Sequence, residues 1–424
     1  MIYINYTMNH NITKDKISLK EKLFIYFCVL HNIRFFNFAP YFYLGRYLVM
    51  IDVLLNVYFF YIFITKYNKI KSKPRGVLVF TSMYMVFVLS LFVALLINGQ
   101  SLYYGLTGLS SMYLGIGLFY YLYTKDIPES FIKQMFWVLA GGYIFATILS
   151  YIQYPHNIFG YNAIADKAGD LEQKMDRALE DRGVYRFLMT GCDYVTLGLF
   201  YLVTIKKKIK YKGILIGVCV LFTLMRGARS PIMQTLLFGV LAYLVANKFS
   251  VSKIIVLMFG AVVLYVSAMN IPFTQNMIDS MSNYTKDEIT DKGTDNVRLL
   301  ALEYYTLEFN ENQLMPIVVG NGPTIVGPHR DKVEKAMSNG LYDSDIEYLR
   351  LFIYFGLIGI VIIVLWGISF IRMSVPPDYL YLKFFILYLF GVMCLGSHFC
   401  LEAPMIALVC YLICIGHQRK LIHG

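Results

Sequence analysis

Two arginines interrupt a long apolar stretch of the sequence. In "LFTLMRGARSPIMQTLLF", residues 221–238, Arg226 and Arg229 stand three positions apart with only Gly227 and Ala228 between them. A charged side chain at the centre of a bilayer costs about 2.5–3.5 kcal/mol even on the mildest insertion scale, so the pair needs a reason. The planar guanidinium binds phosphate through two parallel hydrogen bonds, and small neighbours let a ligand approach the backbone. The pattern favours a site for a doubly charged anion; the alternative is that both side chains extend to lipid headgroups.

The composition indicates the class of protein. Of 424 residues, 58% are hydrophobic and 15% are charged, whereas a soluble domain usually carries about 25% charged residues. Apolar runs of about 17–25 residues recur along the chain, and each is long enough to cross the hydrocarbon core as a helix. The runs are continuous and do not alternate, which argues against a β-barrel. The sequence therefore predicts an all-α, polytopic membrane protein.

Charge and cysteine usage exclude several kinds of partner. Most of the net charge of +11 lies in short loops, where it sets orientation, so nucleic acid is not expected as a partner. None of the seven cysteines forms a C-x-x-C pair and no H-E-x-x-H motif occurs, so no metal or other cofactor is expected. The first 22 residues are polar and charged. No cleavable signal peptide is therefore predicted, and the first span would direct insertion.

Twelve apolar runs are predicted to span the membrane. They lie at about residues 23–41, 47–66, 76–97, 101–123, 133–152, 187–205, 213–226, 231–247, 252–270, 346–371, 379–397 and 402–417. The first is the weakest because Arg34 and Pro40 interrupt it. Its alternative is a position in the membrane interface.

Basic residues in short loops give the orientation. Loops 66–75 and 206–212 carry five basic residues each and no acid, whereas connections 98–100 and 397–403 carry no Lys or Arg. The first two are predicted to be cytoplasmic and the others extracytoplasmic. Alternation then leaves both termini, residues 1–22 and 418–424, in the cytoplasm. Arg226 and Arg229 fall on the outer side, where cations are least expected.

Two longer segments are also predicted to lie outside. A medium loop, at about 154–186, interrupts the nine helices of residues 23–270, and a long loop, 271–345, precedes the last three helices, 346–417. The long loop carries twelve acidic and six basic residues. Loops of this length are usually functional or disordered. The apolar spacing of "VRLLALEYYTLEF", residues 297–309, predicts that part of it is helical.

The order of several short motifs resembles a known family. An "RG-x-RS" turn precedes two spans, and the long outer loop then contains "VRLLALEYY" and "VVGNGP" and ends in "YDSDIEYLRLFIYFGLIGIVI". Upstream, "DRGVYRFLMTGCDYVTLGLFYL" runs into a span. This order is similar to that of the O-antigen polymerase and O-antigen ligase superfamily, the Wzy-like membrane glycosyltransferases. The resemblance covers roughly residues 180–370 by motif. It rests on order and spacing, because each motif is short.

The resemblance implies a glycosyltransferase in the inner membrane of a bacterium. Such an enzyme transfers a glycan from undecaprenyl pyrophosphate to a sugar hydroxyl, without nucleotide or metal, and a chain-length regulator is an expected partner. The chemistry needs arginines that stabilise the leaving pyrophosphate and a general base near the acceptor hydroxyl. It also needs an apolar route from the membrane lipid for the polyprenyl chain.

Individual residues follow from the same resemblance. Arg226 and Arg229 match the family's arginine turn, and Arg298 matches the arginine of the long loop. Arg182, in the medium loop, is a further candidate for substrate binding. His398 is another, because the last outer connection could approach the same cavity. For Arg298 the alternative is a solvated charge on a loop helix.

The end of the long loop departs from the ligase pattern. Ligases carry His-Asn, nine residues and then G-x-x-G; here Gly356 and Gly359 supply the glycines, but Asp345 stands where the histidine would be. Asp343 and Asp345 are therefore the candidate catalytic carboxylates, and polymerase is preferred over a ligase that transfers glycan to lipid A-core. The alternative is that both aspartates cap the helix that starts near Ile346. Two other functions stay open: a flippase or transporter for the lipid-linked glycan, and a partner-binding protein without chemistry.

Overall fold

The computed structural model describes residues 17–44, 46–71, 75–153, 158–160, 187, 189–226, 228–250, 297–311, 313–323, 328–342, 346–394 and 402–423. In chain order its helices are α1 (Leu19–Asn32), α2 (Ala39–Phe42), α3 (Arg46–Lys71), α4 (Arg75–Asn98), α5 (Leu102–Gly108), α6 (Ser110–Lys125), α7 (Glu129–Gln153), α8 (Cys192–Thr204), α9 (Lys212–Leu224), α10 (Arg229–Ala246), α11 (Val297–Glu303), α12 (Leu314–Val319), α13 (Pro328–Ser338), α14 (Glu347–Arg372), α15 (Leu380–Met393) and α16 (Ala403–His423). These ranges contain no β-strand; an isolated antiparallel bridge joins Phe38 and Phe159.

Five helices of the described part are long and apolar enough to cross a membrane. Their apolar segments are Tyr47–Lys66, Phe80–Asn98, Glu129–Gln153, Glu347–Arg372 and Ala403–Ile422. Each coincides with one of the twelve predicted spans. Three shorter apolar helices, α8, α9 and α10, coincide with three more predicted spans. The predicted ninth span, 252–270, lies outside the described residues.

The first predicted span is not one continuous helix. Ser18 and Glu21 cap the start of α1 reciprocally, the Ser18 side chain accepting from Glu21 N–H while the Glu21 carboxylate accepts from Ser18 N–H. The helix ends at Asn32, and one left-handed helical turn follows at Arg34–Asn37. A 14-residue helix is about 21 Å long, which is shorter than the hydrocarbon core of about 30 Å.

The centre of the molecule is built around α6. This helix packs against α3 on one side and against α16 on another. Two glycines allow these close approaches, since a Cβ atom on Gly115 would lie 2.6 Å from the Ala403 backbone and one on Gly117 would lie 2.3 Å from Phe59. Small residues let membrane helices approach where lipid supplies no hydrophobic driving force. A second group of helices, α7, α9, α10 and α15, surrounds α8.

The described end of the long loop forms a small apolar cluster of its own. Helix α11 continues into a π-helical turn, Tyr304–Glu308. Ala301, Tyr305 and Phe309 from this segment pack with Val333 and Ala336 of α13 and with Leu349 and Ile353 of α14. The loop is thus anchored on the first turns of α14.

Candidate functional site

Arg226 lies at the end of α9 and forms a buried ion pair. Its Nη1 donates to Oδ1 of Asp193 at 2.8 Å and to the hydroxyl of Tyr388 at 3.3 Å. The Tyr388 hydroxyl in turn donates to the same Asp193 oxygen at 2.8 Å. Asp193 belongs to the first turn of α8 and Tyr388 to α15. Three helices therefore hold one guanidinium in a fixed orientation.

This ion pair is nearly removed from solvent. The Asp193 side chain is fully buried and that of Arg226 is 12% exposed. Because burial strips both ions of water, such a pair persists only where geometry and further hydrogen bonds are good. Asp193 offsets much of the Arg226 charge, so a bound anion at this place would need additional positive charge. Arg229, the first residue of α10, is next in the chain to supply it.

Glu402 adds a second buried carboxylate to the site. Gly191 N–H donates to Oε1 of Glu402 at 3.4 Å, just before α8 begins. Glu402 Oε2 has no hydrogen-bond partner in the described part of the chain, and neither does the buried hydroxyl of Tyr194. Glu402 lies near enough to interact electrostatically with Asp193 and Arg226. We call these four groups, Arg226, Asp193, Tyr388 and Glu402, the arginine cluster.

A second polar cluster lies where α1, α2 and α3 meet. The Nε2 atom of His31 contacts Oδ1 of Asp52 at 2.7 Å, and Nδ1 contacts the Tyr41 hydroxyl. Arg34 Nη2 donates to the other Asp52 oxygen at 3.0 Å. An ionised Asp52 accepts a hydrogen bond from His31 Nε2–H. Nδ1 of the neutral imidazole then accepts the hydrogen bond that the Tyr41 hydroxyl donates. We call His31, Arg34, Tyr41 and Asp52 the histidine cluster. Its hydroxyl, imidazole and carboxylate follow one another in the order of a proton relay.

A strained turn connects the two clusters. All four residues of the turn Arg34–Asn37 have φ between 48° and 63°, a conformation that costs L-residues roughly 1–2 kcal/mol each. The turn is held from both sides, because Thr190 Oγ1 donates to Ile33 O at 2.5 Å and Gly160 N–H donates to Asn37 O at 3.0 Å. Thr190 immediately precedes Gly191, which contacts Glu402. Strain of this kind collects at functional sites.

The structure describes two of the predicted substrate-binding side chains. Arg226 belongs to the arginine cluster, and Arg298 is a partly buried residue at the start of α11. Of Arg229 the structure describes the backbone, as the first residue of α10. Outside the described residues lie the other two predicted substrate-binding residues, Arg182 and His398, and the two predicted catalytic residues, Asp343 and Asp345. The N-cap position of α14 is held by Ile346, with no side-chain cap, so neither predicted aspartate occupies it.

The two glycine motifs of the long loop and of α14 form one joint. Gly356 interrupts α14 with φ 60° and ψ −164°, a conformation that is essentially restricted to glycine. The break withdraws the intrahelical donors from carbonyls one turn earlier. Asn321 N–H donates to Ile353 O at 2.8 Å, and Gly322 N–H donates to Tyr354 O at 3.0 Å. The loop backbone thus replaces the helix's own donors.

Close backbone contact explains the other glycines of the joint. A Cβ atom on Gly320 would lie 2.4 Å from the Tyr354 backbone, and one on Gly356 would lie 2.5 Å from the Val318 backbone. The Asn321 side-chain amide also donates to Asn310 Oδ1 at 2.9 Å, and the Asn321 main-chain carbonyl accepts from the Asn98 side-chain amide at 2.7 Å. The "G-N-G" stretch is therefore a structural joint, and its Asn321 and Gly322 amide donors are already occupied by protein.

The residues missed by sequence reasoning are mostly acids inside apolar runs. Asp193 and Asp52 each lie within a predicted span, at 187–205 and 47–66. An ionisable residue in a span faces the protein interior and needs a partner. This signal would have marked Asp193 and Asp52 as buried residues that need partners, without naming the partners. Tyr388 carried no signal, because it is one of 36 tyrosines.

These features define an all-α membrane protein with two buried polar clusters. No protein-family model matches the sequence, and no curated protein matches it either.

Proposed function

We propose that this chain polymerises lipid-linked oligosaccharide repeat units into a surface polysaccharide, O-antigen or capsule, on the outer face of a bacterial inner membrane. The observation that carries the proposal is the arginine cluster. Its guanidinium is held rigidly by Asp193 and Tyr388 at the end of α9, directly before the turn that bears Arg229. Preorganised cations are what a leaving pyrophosphate requires. Glycosyl transfer from undecaprenyl pyrophosphate produces such a group.

The proposed topology has twelve spans with both termini in the cytoplasm. It is supported by side-chain contacts that join segments assigned to the same side. On the cytoplasmic side, Glu129 accepts from Tyr379 at 2.5 Å and from Arg419 at 2.7 Å. On the outer side, Asn98 donates to Asn321 at 2.7 Å. A single missing or extra span between these segments would put such partners on opposite sides of the membrane.

Each candidate residue has a proposed role in one balanced step. The acceptor hydroxyl oxygen attacks the anomeric carbon, the bond from that carbon to the pyrophosphate oxygen breaks, and the hydroxyl proton passes to a base. Arg226, Arg229 and Arg298 stabilise the charge that develops on the pyrophosphate, while Arg182 and His398 contact substrate. The polyprenyl chain enters the site from the membrane lipid, and a chain-length regulator is the proposed protein partner.

Two groups are proposed as acceptors of the proton. Asp343 and Asp345, at the end of the long loop, are the first. The histidine cluster is the second, since Tyr41 passes its own proton to His31 as it takes one from the acceptor, with Asp52 stabilising the imidazolium. The strained turn that connects this cluster to Thr190 and Gly191 supports the second group.

The test compares surface glycans from cells that lack the gene with those from complemented cells. Deletion is expected to leave glycan of a single repeat unit, still attached to its carrier or acceptor. Arg226→Ala and Arg229→Ala are expected to fail in restoring polymer while the protein stays in the membrane. Arg226→Lys should rescue poorly because lysine lacks the bidentate fork. The matched control is Arg372→Ala, which removes an exposed arginine at the C-terminal end of α14, on the predicted cytoplasmic side.

Other results of the same experiment define other functions. Full-length polymer that never reaches its final acceptor indicates a ligase. An unchanged ladder in the deletion strain rejects both transferases. Normal chain length in both arginine variants rejects the arginine assignment even if the deletion strain lacks polymer.

One observation favours a transporter as the second candidate. Helix α14 is broken at Gly356, and carriers bind substrate at discontinuous helices. In this chain, however, the Ile353 and Tyr354 carbonyls near the break accept from Asn321 and Gly322. Because protein donors already occupy these carbonyls, the break supports a carrier less well than the arginine cluster supports a transferase.

A further inference from the structure

Part of the long outer loop packs at the depth of a membrane span. A Cβ atom on Gly322 would lie 2.5 Å from Ala94 Cβ and 2.6 Å from the Ser90 carbonyl, both in α4. Ser90 and Ala94 precede the end of α4, Asn98, by eight and four residues. At 1.5 Å per residue, they lie about 12 Å and about 6 Å below that end.

The surface of α4 continues to be apolar above this contact. Leu96, two residues from the end of the helix, is 80% exposed, and Leu95 and Ile97 are also exposed. The apolar segment Phe80–Asn98 has 19 residues and is about 28 Å long, close to the thickness of the hydrocarbon core. The lipid-facing surface therefore reaches nearly to Asn98, and Gly322 lies one to two turns beneath it.

The backbone at this depth meets the condition for a re-entrant segment. Non-helical backbone is tolerated within the membrane where it is buried in protein and its polar groups are bonded. Gly320, Asn321, Gly322 and Pro323 are all buried. The amides of the first three donate to carbonyls of Pro316, Ile353 and Tyr354 at 2.8–3.0 Å.

The helix that leads into this turn exposes apolar side chains. Helix α12, Leu314–Val319, packs along α14 and ends at Gly320. Val318, near its end, lies against Gly356, nine residues into α14. The six residues of α12 span about 9 Å, so its first residue lies no higher than about the start of α14. Leu314 is 74% exposed and Met315 is 57% exposed.

We infer that residues 313–323 form a re-entrant segment in the outer leaflet, and that Leu314 and Met315 contact lipid acyl chains there. The segment was predicted to belong to a loop outside the membrane, 271–345. Its contacts with α4 and α14 bring its lower end below Leu96, the last exposed leucine of α4. Water at that level would solvate the apolar side chains of Leu314 and Met315, which is unfavourable. The inference does not depend on the proposed function.

The first test uses the natural methionines of the full chain in lipid nanodiscs. A water-soluble oxidant attacks methionines that face water, and mass spectrometry measures the sulfoxide. Met85 in α4 is 55% exposed and serves as the lipid-facing reference; Met337 in α13, partly buried, serves as the outer-loop reference. Met315 is expected to oxidise as slowly as Met85, and more slowly than Met337 despite its greater exposure. Oxidation of Met315 at or above the Met337 rate overturns the inference.

A second test separates lipid from protein as the cover. A fluorophore sensitive to polarity is attached to a cysteine introduced by Leu314→Cys, with Leu96→Cys and Ser338→Cys as lipid and water references, in a background without the native cysteines. Lipids brominated on the upper acyl chain are expected to quench Leu314→Cys at least half as strongly as Leu96→Cys. Strong quenching by aqueous iodide, or quenching by neither agent, overturns the inference. The methionine measurement stands on its own if the cysteine-free chain does not fold.

Discussion

At the residue scale, the main feature is that the unusual cation of the sequence has a specific partner. Arg226 is bound by Asp193 and Tyr388, with Glu402 close by. A buried ion pair adds little net stability, but removal of one partner leaves an unpaired charge that is expensive to bury. The cost of breaking the cluster is thus larger than the benefit of forming it.

Asp193→Ala is expected to lower the free energy of unfolding by about 3–5 kcal/mol, because it leaves the Arg226 guanidinium buried without its carboxylate. Tyr388→Phe removes hydrogen bonds only and is expected to cost about 1 kcal/mol. Reversible unfolding in mixed micelles measures both values.

The control for this pair is Asp378→Ala, an exposed aspartate just before α15, for which we expect a change within about 0.5 kcal/mol. The double variant Asp193→Ala with Arg226→Met should recover part of the loss, since no buried charge remains. Equal stability of Asp193→Ala and Asp378→Ala would contradict the ion-pair interpretation.

His329 and Glu311 make the outer part of the long loop sensitive to pH. Burial, with a smaller effect of Lys332, lowers the pKa of His329 below its ordinary value. A hydrogen bond and the charge of Lys332 lower the pKa of Glu311. The unfolded chain thus binds protons more readily at both groups, so stability is lost as the pH falls: first below about 6.5 for His329, then at more acidic pH for Glu311.

Helix α13 is accordingly expected to exchange its amide hydrogens faster at pH 5 than at pH 7, after correction for the intrinsic rates. His329→Gln cannot take up the proton and should remove most of the difference. Hydrogen exchange with mass spectrometry makes the measurement, and peptides of α6 serve as the internal control. Equal protection of α13 at the two pH values in the wild-type protein would refute this expectation.

At the element scale, the joint between the long loop and α14 is the feature that decides the fold of the outer side. The break in α14 and the "G-N-G" stretch stabilise each other, because each satisfies the other's backbone groups. Neither element is stable alone: the broken helix would expose carbonyls to lipid, and the loop would bury unpaired amides.

Gly356→Ala is expected to destabilise this joint severely. The added Cβ meets the Val318 carbonyl at 2.5 Å, and the backbone conformation alone costs a non-glycine residue about 1–3 kcal/mol. The expected result is a lower thermal unfolding temperature together with faster proteolytic cleavage within residues 297–342. Gly213→Ala, at a helical position with open space, is the matched control and should be neutral or slightly stabilising. If both variants unfold at the same temperature, the joint is not tight.

At the scale of the whole molecule, the contacts between helix ends are compatible with the arrangement that the charge of the loops predicts. The contact of Glu129 with Tyr379 and Arg419, on the predicted cytoplasmic side, joins three segments that are far apart in sequence. The five long apolar helices indicate a protein that is inserted in a membrane. The count of twelve spans stays a prediction, since its ninth member lies outside the described residues and α1, in its first member, is shorter than the hydrocarbon core.

Reporter fusions test this arrangement. A reporter active only in the cytoplasm is expected to be active at both termini and after Lys208, and inactive after Asn98. A periplasmic reporter should give the opposite pattern. Activity of the cytoplasmic reporter after Asn98 would contradict the topology, whatever the function of the protein.

The sequence by itself determined the class of protein and the approximate boundaries of most long apolar helices, and it predicts the orientation in the membrane. These follow from local properties, since the length of an apolar run and the charge beside it do not depend on distant residues. The boundaries of α3, α4, α7 and α14 were predicted to within a few residues for this reason. The early end of α1 was less predictable, because a left-handed turn of non-glycine residues persists only where other segments hold it.

Tertiary structure alone decided which polar residues meet. Asp193 precedes Arg226 by 33 residues and Glu402 follows it by 176, and no local pattern relates them. The same holds for the "G-N-G" stretch. Its occupied amides show that it is a joint, because hydrogen bonds between distant segments depend on how helices pack. Local sequence sets where a helix starts and ends, whereas packing sets which buried charge finds its partner.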